Sequence, residues 1–374
     1  MKYLILQNTL SPYRISLFNK LYENGLDFEV LYMCELETGR SWKINKDIIK
    51  YPYIITDGYK GKIKGFPLYW CPNFIKRFVN EKNDKIILGG SWNFPDVIVT
   101  CILKRLGIIN TEILFWSEAN YMTTGARKKN KLRDILRHFV LNTGEGRAIL
   151  PGKMAIDTFK KWGIDNKEFI LLPNVIDEDI FLPLTAGAKY FSPMNDFPVF
   201  LLPVRLIERI KGVLNFFKAI GNDNIKKAKF YVLGDGPDEE MIKLYIKNNK
   251  LQDNIVLTGF CQMDDVAQYY LKSEVLVLPS FTDQSPLALV EGCCCRMPIL
   301  ASNRCGNHFE TIEEGQNGYT FNPDNHDEVR DAFEKMLERR KEWSAMGEHS
   351  RELFNRNFKQ DVVLPRFITA IEHA

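Results

Sequence analysis

The sequence predicts an α/β protein of two doubly wound domains, each a parallel sheet with helices on both faces. Three observations carry this reading. The chain opens on a strand-like run, Tyr3-Leu4-Ile5-Leu6, then a helical stretch starting at Pro12, then a second strand-like run from Phe28 to Tyr32, which is a β-α-β start. Short, continuously apolar runs recur at 86–88, 113–116, 148–150, 169–172, 199–202, 231–233, 255–257 and 275–278. Runs of that kind mark strands buried on both faces. Finally, the 374 residues are enough for two cores, and the alternation restarts at Val199 after a loop-like passage ending near Pro198.

Composition excludes several classes. Hydrophobic residues make up 45% and charged residues 26%, the balance of an ordinary globular protein, and a net charge of +3 is too small for a nucleic-acid binder. The eight Cys form no Cys-x-x-Cys pair. Cys293, Cys294 and Cys295 are consecutive, so on a helix they point in different directions and suit small buried side chains rather than a metal site. Free thiols of this kind predict a reducing, cytoplasmic setting. The N-terminus is too quickly polar for a signal peptide, and no apolar stretch nears the roughly 20 residues of a membrane span. Any membrane contact is therefore expected to be peripheral, on the cytoplasmic face.

Within the first half, Ser11 caps a helix with Pro12 in its first turn and Ile15, Leu17, Phe18 and Leu21 as its apolar side. Residues 35–80, rich in Tyr, Lys and Gly, read as an insertion or flap. Gly89-Gly90-Ser91-Trp92 follows a strand directly, where Gly permits close approach by a ligand or another backbone. The strand at 113–116 ends in Ser117-Glu118-Ala119-Asn120, and strand ends face the ligand crevice, which makes Glu118 the candidate ligand contact in this half. The segment 127–137 is basic. Leu132, Ile135, Leu136, Phe139 and Val140 share one helical face, expected to pack on the sheet and leave a solvated basic face. The same cations can also attract anionic lipid.

Asp177-Glu178-Asp179 has the three-letter form of a metal motif but lies in a hinge-like passage and reads as a turn and cap. In the second half, Arg205 and Lys211 sit six positions apart at a strand-to-helix junction, where two cations can reach one diphosphate from two sides. Gly234-Asp235-Gly236-Pro237 lacks the third Gly of a dinucleotide-binding loop, which argues against a dehydrogenase.

The remaining stretch, from Ser280 to Glu291, organises the others. It follows the run 275–279 and opens a helix, with Ser285 read as the N-cap and Pro286 as its first residue. The N–H groups of Leu287 and Ala288 then point out of a helix N-terminus, an anion seat, with Asp283 before it and Glu291 after it.

This acid-x7-acid spacing resembles the motif of the GT-B retaining glycosyltransferases of family 4. Val204-Arg205-Leu206 with Lys211-Gly212, Gly234 to Pro237, Gly306-Asn307-His308-Phe309-Glu310, and Pro173-Asn174-Val175-Ile176-Asp177 fall in that family's order. The resemblance covers the second half densely and the first half loosely. It departs at Asp283, where Glu is usual, at Ser285-Pro286, where Phe-Gly is common, and at Arg296, where the helix usually ends in Gly and local strain is expected.

The resemblance implies two Rossmann-like domains facing each other across a cleft. Residues 1–183 form the acceptor-side domain, completed by a C-terminal helix at 358–374 that Pro365 should kink. Residues 184–357 form the nucleotide-sugar domain. It further implies hexosyl transfer from a UDP- or GDP-linked sugar to a hydroxyl of a glycan or lipid-linked acceptor, with retention and without metal. Arg205 and Lys211 would stabilise the departing diphosphate, Asp283 would hold the sugar and Glu291 the ribose. Ser285, Pro286, Leu287 and Ala288 would seat the phosphates, and Gly234, Gly259 and Phe260 would lie along the nucleotide. A nucleotide-sugar epimerase of the same shape and a non-catalytic nucleotide-sugar-binding protein are the alternatives.

Overall fold

The computed structural model describes residues 2–36, 44–56, 58–63, 66–80, 85–123, 128–143, 146–165, 167–181 and 197–373. In the first domain strands and helices alternate as β1 (Tyr3–Thr9), α1 (Pro12–Glu23), β2 (Phe28–Cys34), β3 (Tyr53–Ile55), β4 (Tyr59–Ile63), β5 (Phe66–Trp70), α2 (Pro72–Asn80), β6 (Lys85–Leu88), α3 (Pro95–Arg105), β7 (Glu112–Trp116), α4 (Lys131–Leu141), β8 (Arg147–Leu150), α5 (Lys153–Lys161) and β9 (Glu168–Leu171). The second domain runs β10 (Val199–Pro203), α6 (Glu208–Lys211), α7 (Val213–Ile225), β11 (Lys229–Leu233), α8 (Glu239–Asn248), β12 (Ile255–Gly259), α9 (Met263–Lys272), β13 (Val275–Leu278), α10 (Leu287–Cys294), β14 (Ile299–Ser302), α11 (His308–Thr311), β15 (Gly318–Phe321), α12 (His326–Glu338) and α13 (Trp343–Asn357). A last helix, α14 (Gln360–His373), follows.

The first sheet has the order β3-β2-β1-β6-β7-β8-β9 and the second β12-β11-β10-β13-β14-β15, and the strand pairs within both are parallel. β1 is buried along almost its whole length because it pairs with β2 on one side and β6 on the other. Strand order reverses between β1 and β6, and again between β10 and β13. In doubly wound sheets the crevice beyond the carboxyl ends at such a reversal is where ligands bind.

Residues 35–80 are more ordered than an insertion. β3 extends the first sheet beside β2, β4 and β5 form an antiparallel hairpin, and α2 starts at Pro72. Residues 37–43, 57 and 64–65 of that stretch, and the expected boundary at 183/184, lie outside the described residues. Helix α14 lays Val363, Leu364, Phe367 and Ile371 into the core of the first domain with Tyr3, Ile5, Phe28 and Val30. The Tyr3 hydroxyl and Lys85 Nζ both donate to the Ile371 carbonyl, each at 3.1 Å. Pro365 lies inside this helix without ending it.

Helix α4 turns a face other than the expected one to the protein. Arg137, Val140 and Leu141 are buried, whereas Leu132, Ile135 and Leu136 are exposed. The Arg137 guanidinium takes the inner position because it stacks 4.0 Å over the Trp162 ring and pairs with Asp134 at 2.9 Å. At the end of α10, Arg296 has a φ of 54°, the left-handed conformation expected to be strained. It closes a Schellman turn: Met297 N donates to Gly292 O at 3.0 Å and Arg296 N to Cys293 O at 3.2 Å.

Candidate active site

The second sheet fixes one wall of the site. β10 ends at Pro203, and Val204 N donates to Leu233 O at 2.8 Å, tying this strand end to the turn after β11. Gly234 (φ 132°) passes so close that a Cβ there would stand 2.2 Å from the Val204 carbonyl oxygen. Leu206 N donates to Asp235 O, and Glu208 N to the Asp238 carboxylate at 2.7 Å. Glu208 in turn accepts from Leu214 N and Asn215 N at 2.9 and 2.7 Å, and burial raises the pKa of its carboxyl. The segment 204–212 is thus held by its backbone and its acids. The Arg205 side chain is left exposed with no ion-pair partner among the described residues.

Across the order reversal, the loop after β13 carries Asp283, whose carboxylate forms an ion pair with Lys211 Nζ. The sequence placed these two on opposite ends of a ligand, and in the structure they hold each other. Thr282 N donates to Ile210 O at 3.2 Å, and Gly306 N to Asp283 O at 3.0 Å. Only glycine fits at 306, because a Cβ would stand 1.7 Å from Gln284 O.

Helix α10 begins at Leu287 with Pro286 as its N-cap, one residue later than the Ser285 cap predicted from sequence. Pro286 is extended (ψ 125°), and no side chain caps the helix. The Pro286 and Ser285 carbonyls accept instead from Asn307 Nδ2 at 2.9 Å and Asn174 Nδ2 at 3.3 Å. Among the described residues the amides of Leu287 and Ala288 have no acceptor, so the helix N-terminus is open to an anion.

Glu291 is buried, with 5% of its surface exposed. Its carboxylate accepts from Tyr270 OH at 2.6 Å and from Tyr13 OH, in the first domain, at 3.4 Å. Burial raises its pKa. Gly234 and Gly259 bridge at the ends of β11 and β12 (Gly234 N to Gly259 O, 2.9 Å), and Phe260 beside them is exposed.

The first domain supplies the other wall. Glu118 is engaged by Arg14 Nη2 at 2.5 Å, and the Arg14 guanidinium lies 4.3 Å over the Trp116 ring. Two residues on, Asn120 is buried and donates to both Asp283 O (3.0 Å) and Arg304 O (2.9 Å), joining the end of β7 to the Asp283 loop. Gly89 makes room for β1, not for a ligand, since a Cβ there would stand 2.5 Å from Leu6 O. Glu310 accepts from Lys153 N at 2.7 Å and so caps α5 from the other domain. Burial raises the Glu310 pKa.

Asp177 caps its own turn, accepting from Asp179 N at 3.2 Å, and Glu178 pairs with Arg351 at 3.1 Å. Among the described residues no group of three or more His, Cys, Asp or Glu is arranged to hold a metal ion. Sequence reasoning missed Tyr13, Tyr270, Asn120, Asn174 and Asn307. A Tyr at the second position of the first helix was visible, but nothing local ties it to an acid 278 residues away.

Residues 192–353 match the family model described as glycosyl transferases group 1. Over 208 residues the chain is 26% identical to N-acetyl-alpha-D-glucosaminyl L-malate synthase of Bacillus anthracis, covering 54% of this chain and 53% of that protein. It is also 26% identical over 188 residues to alpha-monoglucosyldiacylglycerol synthase of Acholeplasma laidlawii, covering 46% and 45%. These matches span about half the length of the curated relatives. Among solved structures, sucrose-phosphate synthase of Thermosynechococcus elongatus superposes with a TM-score of 0.75 at 15% identity, over 100% of this chain and 98% of that one. Anabaena HepE in complex with UDP and glucose gives 0.72 at 14%, over 100% of both. The second domain therefore carries the sequence pattern of the glycosyl transferases group 1, on a whole chain with the GT-B fold.

Proposed function

We propose that the protein is a glycosyltransferase that moves a hexosyl group from a nucleoside diphosphate sugar to an acceptor hydroxyl, with retention and without a metal. The observation that carries this is the grouping at the β10/β13 reversal: Arg205, the Lys211–Asp283 pair and the uncapped N-terminus of α10. Breaking a glycosidic bond to a diphosphate develops negative charge on the leaving oxygen. Fixed donors aimed at that charge contribute several kcal/mol. Arg205 offers a fork, Lys211 a point charge, and Leu287 and Ala288 two amides.

In this mechanism the arriving donor divides the resting ion pair. Phosphate takes Lys211, and a sugar hydroxyl donates to Asp283. Ribose hydroxyls donate to Glu291 in place of the long Tyr13 contact, while Tyr270 keeps the carboxylate oriented. Gly234, Gly259 and Phe260 line the nucleotide. With Asp283 engaged by a sugar hydroxyl, a front-face route with the phosphate oxygen as base accounts for retention. Glu118, fixed by Arg14, faces the acceptor, a glycan or lipid-linked alcohol in the cytoplasm. The family match of the second domain favours transfer over epimerisation or simple binding. Incubation with radiolabelled UDP- and GDP-sugars in EDTA tests the reading. Hydrolysis or transfer of one donor is expected; epimerised sugar, no turnover, or turnover only with Mn²⁺ or Mg²⁺ would overturn it.

A further inference from the structure

We infer that the outer face of helices α3 and α4 docks on an anionic lipid bilayer, a contact that goes beyond the transfer reaction. Leu132, Ile135 and Leu136 on α4 are 81%, 67% and 38% exposed, although periodicity alone would turn that stripe inward. The end of α3 adds Ile102 at 40%, with Leu106 at 67% and Ile108 at 49% just beyond it. The two helices are fastened side by side. Arg105 donates to Thr143 Oγ1 at 2.8 Å and to Phe139 O at 3.0 Å, and its guanidinium lies 4.4 Å over the Phe139 ring.

The charges around these side chains are of one sign. Lys128, Lys129, Lys131 and Arg133 stand between positions 128 and 143 against Asp134 alone, and Asp134 is already paired with Arg133 and with the inward-facing Arg137. Lys104 and Arg105 add to this on α3, whose one acid, Asp96, is buried. Aliphatic tips set among cations suit the boundary of headgroups and acyl chains in an anionic leaflet. A second copy of the chain fits poorly, because a two-fold interface would set this basic face against itself. No helix among the described residues is long and apolar enough to cross a membrane, so the contact is peripheral.

The placement also gives the contact a use. β7 ends at Trp116, and the chain continues through Glu118 and Asn120 at the cleft before α4 begins at Lys131. The N-terminus of α4 therefore lies at the cleft-side end of the domain, and its exposed stripe runs away from there. A bilayer on that face brings a lipid-anchored hydroxyl to the cleft rim.

Vesicle co-sedimentation of the full chain tests this without turnover, so its failure leaves the transfer reading standing. Phosphatidylglycerol/phosphatidylcholine vesicles should pellet the protein at low salt, phosphatidylcholine alone should not, and salt should release it. The double variant Leu132→Asp/Ile135→Asp should bind roughly tenfold weaker or less while keeping the wild-type melting temperature, and Lys128→Glu/Lys131→Glu should lose at least as much. Equal pelleting of wild type and the Asp variant would overturn the proposal. So would no pelleting of wild type at low salt, or a lipid-independent dimer that the Asp variant turns into monomer.

Discussion

Replacing Lys211 and Arg205 in turn separates what the site does from what holds it together. The Lys211 and Asp283 side chains are 20% and 16% exposed, so each is largely withdrawn from water. Lys211→Ala removes a preorganised donor from the leaving diphosphate, a loss of roughly 100-fold in rate, or about 2.7 kcal/mol of transition-state stabilisation. It also strands the Asp283 carboxylate, and an unsatisfied buried acceptor costs about 1–3 kcal/mol of stability. Arg205 is the cleaner probe. Exposed and without an ion-pair partner among the described residues, its removal should change stability by less than about 0.5 kcal/mol, yet slow the reaction on the same scale as Lys211→Ala. Arg205→Lys should recover little, because a point charge does not reproduce the fork. Single-turnover kinetics with a labelled donor gives the rates, calorimetry with UDP and GDP the ground-state affinity, and urea denaturation the stability. Affinity should fall much less than rate, since the charge being stabilised appears as the bond breaks. Near-wild-type rates for folded Arg205→Ala and Lys211→Ala would refute the mechanism, and a stability loss in Lys211→Ala with no loss of rate would mark the pair as structural.

Glu291→Gln should weaken nucleotide binding by the worth of a charge-assisted bond, about 1.5–3 kcal/mol, read by calorimetry. Burial raises the Glu291 pKa, so wild-type affinity should already decline at a pH above the ordinary glutamate range as pH falls, and Glu291→Gln should flatten that decline. Asp96 has none of its surface exposed, and burial pushes its pKa up to about 6 from 3.8. The folded state keeps that proton while the unfolded state loses it, so this residue's contribution falls as pH rises from about 4 to about 6, by about 3 kcal/mol in all. The urea-stability difference between wild type and Asp96→Asn should shift by that amount across the window, and a flat difference would refute it. Arg296→Gly should stabilise by about 1 kcal/mol, relieving the left-handed backbone at the loss of an exposed bond to Glu348, and a lower Tm would refute it.

The fold was legible where burial is two-sided. Runs such as Val275–Leu278 are apolar at every position because helices cover both faces of the sheet. β3 and the β4–β5 hairpin escaped because they are short and carry Tyr, Lys and Gly, and β3 is only partly buried. In α4 the apolar stripe was correctly seen, but periodicity states only that a stripe exists. With Arg137 stacked inward, Leu132, Ile135 and Leu136 face outward while Val140 stays buried. Motif spacing pointed to Arg205, Lys211, Asp283 and Glu291, and it is silent about their partners. The Lys211–Asp283 pair and the two tyrosines on Glu291 bring together segments from 21 to 278 residues apart, a relation created by the tertiary fold alone.

Those long-range partners also bear on how the two halves of the reaction are kept in register. Asn120 sits two residues past Glu118 and holds the backbone carbonyl of Asp283, so the acids proposed to face the acceptor and the donor sugar are linked by one buried amide. Tyr13 lies beside Arg14, which fixes Glu118, and it reaches Glu291 from the same side. Each donor-side acid is therefore touched by a first-domain residue adjacent, or nearly so, to one that builds the acceptor wall. Transfer of a sugar to an acceptor hydroxyl depends on the reacting atoms being closely aligned, and misplacement of about 1 Å can lower the rate by roughly 100-fold. Separate domains joined only by a hinge do not supply that precision. The Asn120 bond onto the Asp283 carbonyl ties the two domains at this site, so in the proposed mechanism the diphosphate-stabilising groups and the acceptor wall meet in one arrangement.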